Sequence, residues 1–293
     1  MGHRFLTCDV FTDTRFGGNP LAVVPDGRGI AAATMQAVAR EFNLSETVFV
    51  LPPDDPRHQA KLRIFTPARE LPFAGHPTVG AAFTLATIGA LPAGARDIVL
   101  EEGVGPVPVR IDRVDGRPAA CTLTAARRPE RGAAAAPPDT QLAALLSLDP
   151  GDVAAGAETW SCGLPYLVIP LQSVGALERC RVDSVRYDAL LGSDGVDHLY
   201  PVARVDATTW RVRMFAPALG VAEDPATGSA AASFAGWLAR HDPGGAPRYR
   251  LLQGAEIGRP SRLELEIDRD GEHAAVVRVG GSAVMVSEGT IEI

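Results

Sequence analysis

Residues 63–82 read RIFTPARELPFAGHPTVGAA, and residues 213–232 read RMFAPALGVAEDPATGSAAA. Laid over each other at an offset of 150 without a gap, they share Arg63/Arg213, Phe65/Phe215, Pro67/Pro217, Ala68/Ala218, Ala81/Ala231 and Ala82/Ala232. Self-similarity at a fixed spacing marks a repeated unit. An earlier echo keeps the same order: Gly18-Asn19-Pro20 feeds the apolar run Leu21–Val24, and Gly163-Leu164-Pro165 feeds Tyr166–Ile169. One Gly-x-Pro echo is ordinary turn chemistry. Two echoes in order point to a chain written twice.

Both copies of the longer repeat run into a helical stretch, TVGAAFTLATIGAL from Thr78 and TGSAAASFAGWLA from Thr227. Each is apolar or small nearly all the way round, and a helix without a polar face is a buried helix. Short β-rich runs surround them. In the first half these are Arg4–Val10, Ala22–Val24, Thr47–Leu51, Lys61–Phe65, Ile98–Leu100, Val107–Ile111 and Ala120–Leu123, with a further helix near Ala31–Phe42. In the second half they are Tyr166–Pro170, His198–Val202, Thr209–Phe215, Leu263–Ile267 and Ala275–Val279. The expected class is α+β: two similar domains related by a pseudo-twofold, each a mostly antiparallel, barrel-like sheet around a central buried helix. The stretch RRPERGAAAAPP at 127–138 reads as a linker, which separates a domain over 1–126 from one over 139–282.

Composition narrows the function. The chain has 293 residues, 46% of them hydrophobic, with a net charge of −7 and a mean hydropathy of +0.06. An acidic balance argues against nucleic acid or an anionic membrane as partner. The start, MGHRFLTCDVF, lacks the long apolar segment of a signal peptide, and no run approaches a membrane span. Cys8, Cys121, Cys162 and Cys180 form no C-x-x-C pair, so buried free thiols in a reducing cytoplasm are expected. The six histidines do not fall at metal-ligand spacing, and no G-x-G-x-x-G, G-x-S-x-G or H-E-x-x-H motif is present.

Three places remain where chemistry could sit. Gly75-His76-Pro77-Thr78 opens the first buried helix, and N–H groups at a helix start favour an anion. A plain helix start with an early proline and a capping threonine is the competing reading. Asp224-Pro225-Ala226-Thr227-Gly228-Ser229 falls at the same place in the second copy, where Asp224 aligns with Ala74 at the 150-residue offset. Asp224 and Thr227 also read as simple helix caps. In a duplicated protein, two such helix starts facing each other would clamp a small acid, and domain interfaces favour pockets. Glu46, in NLSETVFV, stands at the mouth of an apolar strand, where partial desolvation would suit proton transfer; an exposed strand-start glutamate is the ordinary alternative.

Together these stretches resemble the PhzF family of phenazine-biosynthesis-like proteins. The likeness rests on DVFTDTRFGGNPLAVV from Asp9, NLSETVFV from Asn43, RIFTPARELPFAGHPT from Arg63 and FAPALGVAEDPATGSA from Phe215. It implies a diaminopimelate epimerase-like fold, a final strand over 283–293 returning to the first domain, a homodimer and no cofactor. The family's acid/base glutamate matches Glu46, its Gly-His-Pro histidine matches His76, and its Asp-Pro-Ala-Thr-Gly-Ser aspartate matches Asp224. Gly75 and Ser229 match substrate-binding positions; Pro77, Thr78, Thr227 and Gly228 complete the expected seat, with the substrate carboxylate held at Thr78 and at Thr227–Ser229. The epimerases of this fold use paired cysteines as acid and base, and neither loop here carries one. The implied activity is a proton shift within a small carboxylic acid, trans-2,3-dihydro-3-hydroxyanthranilate or a related cyclic acid. An epimerase or lyase of another amino or hydroxy acid, and a non-catalytic small-acid binding protein, are the rivals.

Overall fold

The computed structural model describes residues 2–191 and 196–293. The chain divides into two compact units, one of residues 1–126 and 279–293, the other of 127–278.

The first unit contains β1 (Gly2–Val10), β2 (Asn19–Val24), α1 (Ala32–Phe42), β3 (Glu46–Leu51), β4 (Ala60–Phe65), β5 (Glu70–Leu71), α2 (Gly75–Thr87), β6 (Asp97–Glu102), β7 (Gly105–Val114) and β8 (Arg117–Thr124). The second contains β9 (Glu130–Arg131), α3 (Asp139–Leu145), β10 (Glu158–Ser161), β11 (Pro165–Pro170), α4 (Val174–Arg179), α5 (Ser184–Leu191), β12 (Leu199–Arg204), β13 (Thr209–Val212), β14 (Met214–Ala216), β15 (Val221–Asp224), α6 (Gly228–His241), β16 (Arg248–Gln253) and β17 (Ser261–Asp270). A final strand, β18, runs over His273–Glu292 and belongs to the first unit from Val279 onward. The sequence suggested two strands here, Ala275–Val279 and 283–293; the backbone is one continuous strand. The 127–138 stretch, expected as a linker, carries β9, which pairs with β10.

In the first unit, β1 pairs with β2, β2 with β3, β3 with β4, β4 with β6, β6 with β7, β7 with β8, β8 with β18, and β18 with β1. The ring closes, so no edge strand is left unpaired. Helix α2 packs against β1, β2, β3, β7 and β8, and every residue from Gly75 to Leu85 is buried. The chain folds this way because α2 has no polar face to show to water, and a sheet curled round it covers every side.

The second unit repeats the order. The pair β10–β11 is antiparallel, β11–β12 parallel, β12–β13 antiparallel, β13–β16 parallel and β16–β17 antiparallel. The first unit gives the same succession from β1 to β7, with α2 and α6 in matching places. The repeat also holds in side-chain detail. Arg63 sits 5.2 Å over the Phe65 ring and Arg213 sits 4.8 Å over Phe215. Each also pairs at 2.7 Å with a glutamate of the next short strand, Glu70 or Glu223.

One sequence alignment is corrected by the fold. The residues just before the two buried helices are Ala74 and Thr227, which differ by 153 positions, not 150. The extra residues lie within the β14–β15 hairpin, which pairs Met214 with Asp224 where β4–β5 pairs Ile64 with Leu71. Structurally Gly75 answers to Gly228, and His76 to Ser229; Asp224 has no counterpart at Ala74. The expected strand Thr209–Phe215 is likewise broken at Arg213 into β13 and β14. Among the described residues no helix is long and apolar enough to cross a membrane.

The close seating of α2 gives a test. A Cβ on Gly80 would lie 2.5 Å from Leu21 Cδ2 and 2.7 Å from Val10 Cγ2. Gly80→Ala should therefore destabilise the protein by about 1–3 kcal/mol through overpacking, read as a lower urea midpoint. An unchanged midpoint would contradict the barrel packing.

Candidate active site

Glu46 owes its position to a crossover. Helix α1 stops at Asn43, whose left-handed backbone (φ 50°) lets its N–H bond the Ala39 carbonyl. The chain then enters β3 parallel to β2, with Glu46 opposite Leu21. That register sets Glu46 beside Pro20, and the Pro20 carbonyl accepts a hydrogen bond from the His76 ring. His76 Nε2 lies 3.3 Å from Glu46 Oε2, and the two side chains are 6% and 16% exposed. Glu46 is thus largely withdrawn from water, not an exposed strand-start residue.

The His76 ring is pinned in one tautomer. Burial drives its pKa down to about 3, and the bond to Pro20 offsets this only in part. With Nε2 turned to Glu46, Nδ1–H is the group left for Pro20. His76 Nε2 then faces Glu46 Oε2 across 3.3 Å.

The start of α2 is bare. Ala74, at the cap position, supplies no side-chain hydrogen bond. Pro77 has no N–H, so Gly75 and His76 carry the first-turn donors that no intrahelical carbonyl reaches. Thr78 does not join them. It is fully buried, and its hydroxyl lies 2.8 Å from the Ala74 carbonyl and 2.6 Å from Glu102 Oε1. The Thr78 hydroxyl is therefore engaged within the packed interior, next to the backbone of the α2 start.

In the second unit, Arg213 anchors the equivalent loop. Its guanidinium pairs twice with Glu223, at 2.8 and 2.7 Å, and donates to the carbonyls of Leu177 and Cys180 at 2.9 and 3.0 Å. Burial opposes the Arg213 charge, but Glu223 keeps its pKa above the ordinary arginine value. Asp224, next along, is buried and accepts the Thr227 hydroxyl. Gln253 ties the loop down, donating to the Asp224 carbonyl at 2.8 Å and to Thr227 Oγ1 at 3.0 Å, while its carbonyl accepts the Thr227 N–H at 3.2 Å. Thr227 makes no side-chain cap to α6. The Thr227 side chain is turned to Asp224 and not to the α6 backbone. Ser229 Oγ lies 2.6 Å from the Tyr166 hydroxyl.

Pro20, Tyr166 and Gln253 belong to these sites and were not singled out in the sequence. Pro20 and Tyr166 stand inside the two Gly-x-Pro echoes, which was their available signal. Gln253 ends β16, a strand whose RYRLLQ pattern was not read. All four cysteines are buried and free, and burial pushes each thiol up to about 12. None offers a thiolate at neutral pH.

The His76 tautomer can be tested directly. Nitrogen-15 NMR of the histidines should show His76 neutral with the proton on Nδ1 from pH about 5 to about 8. A midpoint near the ordinary histidine value would contradict the geometry.

Comparison with known proteins fits this architecture. The family model described as phenazine biosynthesis-like protein, PhzC-PhzF, matches residues 8–289. An uncharacterized isomerase of Mesorhizobium japonicum is 43% identical, covering 99% of both chains. The trans-2,3-dihydro-3-hydroxyanthranilate isomerase of Pseudomonas aeruginosa is 38% identical over 98% of both. The crystal structure of a PhzF-family phenazine biosynthesis protein from Bacillus anthracis has a TM-score of 0.87 over 100% of both chains at 23% identity, a likeness of fold. The duplicated α+β barrels are those of the epimerase-like fold, the relatives are named as isomerases, and the chain belongs to the PhzC-PhzF family of phenazine biosynthesis-like isomerases.

Proposed function

We propose that this isomerase moves a proton within a small, cyclic, unsaturated carboxylic acid, with Glu46 acting as base and then as acid. The observation that carries the reading is the buried Glu46–His76 pair at 3.3 Å, beside a helix start whose cap residue, Ala74, offers no side-chain hydrogen bond. The substrate class follows from that start: backbone N–H groups at Gly75 and His76 suit a carboxylate.

The chemistry is a deprotonation followed by a return. Trans-2,3-dihydro-3-hydroxyanthranilate, the substrate in the name of the Pseudomonas aeruginosa relative, illustrates it. The hydrogen on its hydroxyl-bearing carbon lies at the far end of a diene conjugated to the carboxylate. Removal by Glu46 leaves an anion spread over the conjugated system, and donors aimed at the carboxylate stabilise that charge as it grows. His76 Nε2 accepts from the protonated Glu46 and keeps its carboxyl oriented. Glu46 then gives the proton to another carbon of the same system. The reaction needs only proton transfer, so the proposal includes no cofactor. The buried thiols support a single-carboxylate route over a two-thiol one.

Glu46→Gln should keep the fold and lower kcat by about 100-fold or more, the usual worth of a positioned acid/base. Turnover of trans-2,3-dihydro-3-hydroxyanthranilate, followed by proton NMR, measures it. Near-wild-type turnover would overturn the assignment.

A further inference from the structure

Glu102 is a buried carboxyl that the reaction above does not use. It ends β6 and is 7% exposed. Side chains alternate along a strand, so Glu101 faces away from it; Glu101 accepts the N–H groups of Asp54 and Asp55 and meets His58 at 2.8 Å. Glu102 turns to the start of α2. Its Oε1 lies 2.6 Å from Thr78 Oγ1, which in turn lies 2.8 Å from the Ala74 carbonyl. The Ala74 N–H also bonds the carboxyl, and Oε2 is buried without a well-formed hydrogen bond.

The hydrogens in this chain can be counted. Thr78 has one hydroxyl hydrogen and two neighbours that could accept it. With Glu102 protonated, the chain through Thr78 is complete: the carboxyl O–H donates to Thr78 Oγ1, and Thr78 donates to the Ala74 carbonyl. With Glu102 ionised, Thr78 must turn its hydrogen to the carboxylate and abandon Ala74. A buried negative charge then sits under the helix start that would hold an anion. Burial pushes the Glu102 pKa up to about 8, while the Thr78 hydroxyl and the Ala74 N–H pull it partly back. The groups facing it are uncharged: Thr78 and Ala74 at the start of α2, Pro72 against the neighbouring Gly103, and Gly105 across in β7. On the surface groove of about 1300 Å³ that Glu102 borders, Arg63 and Glu70 neutralise each other at 2.7 Å, and Lys61 is held by Asp54 at 2.6 Å.

We propose that Glu102 is a positioning residue whose protonated carboxyl holds the Ala74–Thr78 turn as an uncharged seat for an acidic ligand, and whose ionisation weakens that ligand's binding. This rests on the reading of the α2 start as a carboxylate seat. Glu102→Gln is the informative variant, because its amide donates to Thr78 as the protonated acid does but cannot ionise.

Two measurements test it. The first is the pH profile of KM and kcat for trans-2,3-dihydro-3-hydroxyanthranilate with wild type and Glu102→Gln. Wild-type KM should rise about fivefold or more between pH about 7 and about 9.5, with kcat less affected, and the Gln variant should lose that rise. The second is thermal stability without substrate. A carboxyl that prefers to stay protonated when folded contributes fully below its unfolded pKa, near 4.5, and loses that contribution as pH rises through about 8. Wild type should therefore lose stability relative to Glu102→Gln across that window. A Gln variant that keeps the wild-type rise in KM overturns the role of Glu102 and leaves the carboxylate seat standing. A wild type that neither binds nor converts the acid, yet shows the stability difference, overturns the seat and the proposal with it.

Discussion

The architecture depends on one constraint: α2 is apolar on every side and cannot lie on a surface. Eleven consecutive residues, Gly75 to Leu85, are buried, and small residues such as Gly80 let Leu21 and Val10 of the surrounding strands approach its axis. Covering such a helix demands sheet on all sides, and the ring from β1 to β8 closed by β18 supplies it. Burial also reaches the first turn of the helix, so its polar N–H groups emerge where few side chains compete for them. The same demand is met a second time around α6, whose cap residue Thr227 bonds Asp224 and Gln253 and does not cap the helix through its side chain. The fold that solves a packing problem thus produces an anion-favouring end at α2 without a dedicated residue at the cap position.

The chemistry is set by what borders that end. The parallel pairing of β2 with β3 brings the Pro20 carbonyl and Glu46 to the same place, and His76 bridges them. A carbonyl on one ring nitrogen and a carboxyl at the other leave the imidazole one comfortable form, neutral with Nδ1–H on Pro20. Desolvation reinforces this, because a charged ring would lose more hydration than Pro20 returns. Sealed thiols with no accessible thiolate leave the carboxylate as the group suited to moving a proton on carbon. Glu102, below the same turn, extends this logic: a second carboxyl whose charge state decides whether the turn is neutral.

Much of this was legible in the residues, for physical reasons. A helix without a polar face and a repeated Arg-x-Phe are visible without coordinates, and both copies of the arginine proved to stack on phenylalanine and pair with glutamate. The ungapped offset of 150 failed where the β14–β15 hairpin is longer, since a sequence overlay cannot place an insertion inside a loop of small residues. The place of Thr78 in the first turn is visible in sequence, but the partner of its hydroxyl is not, because Glu102 lies 24 residues away. Strand β16 escaped because alternating Arg with Tyr and Leu beside a Gly-Gly-Ala-Pro turn reads as loop. Gln253 and Tyr166 escaped with it, since their roles come from contacts across the fold, not from local pattern.

The central claim is that one carboxylate both removes and returns the proton, which confines both events to one face of the substrate ring. The most direct measurement is the stereochemistry of turnover of trans-2,3-dihydro-3-hydroxyanthranilate in deuterium oxide, with the configuration of the newly labelled carbon set by NMR. The account predicts that the hydrogen, or the deuterium that exchanges for it on Glu46, arrives on the face from which the departing hydrogen left. Deuterium on the opposite face would require a second acid on the other side of the ring and would contradict it.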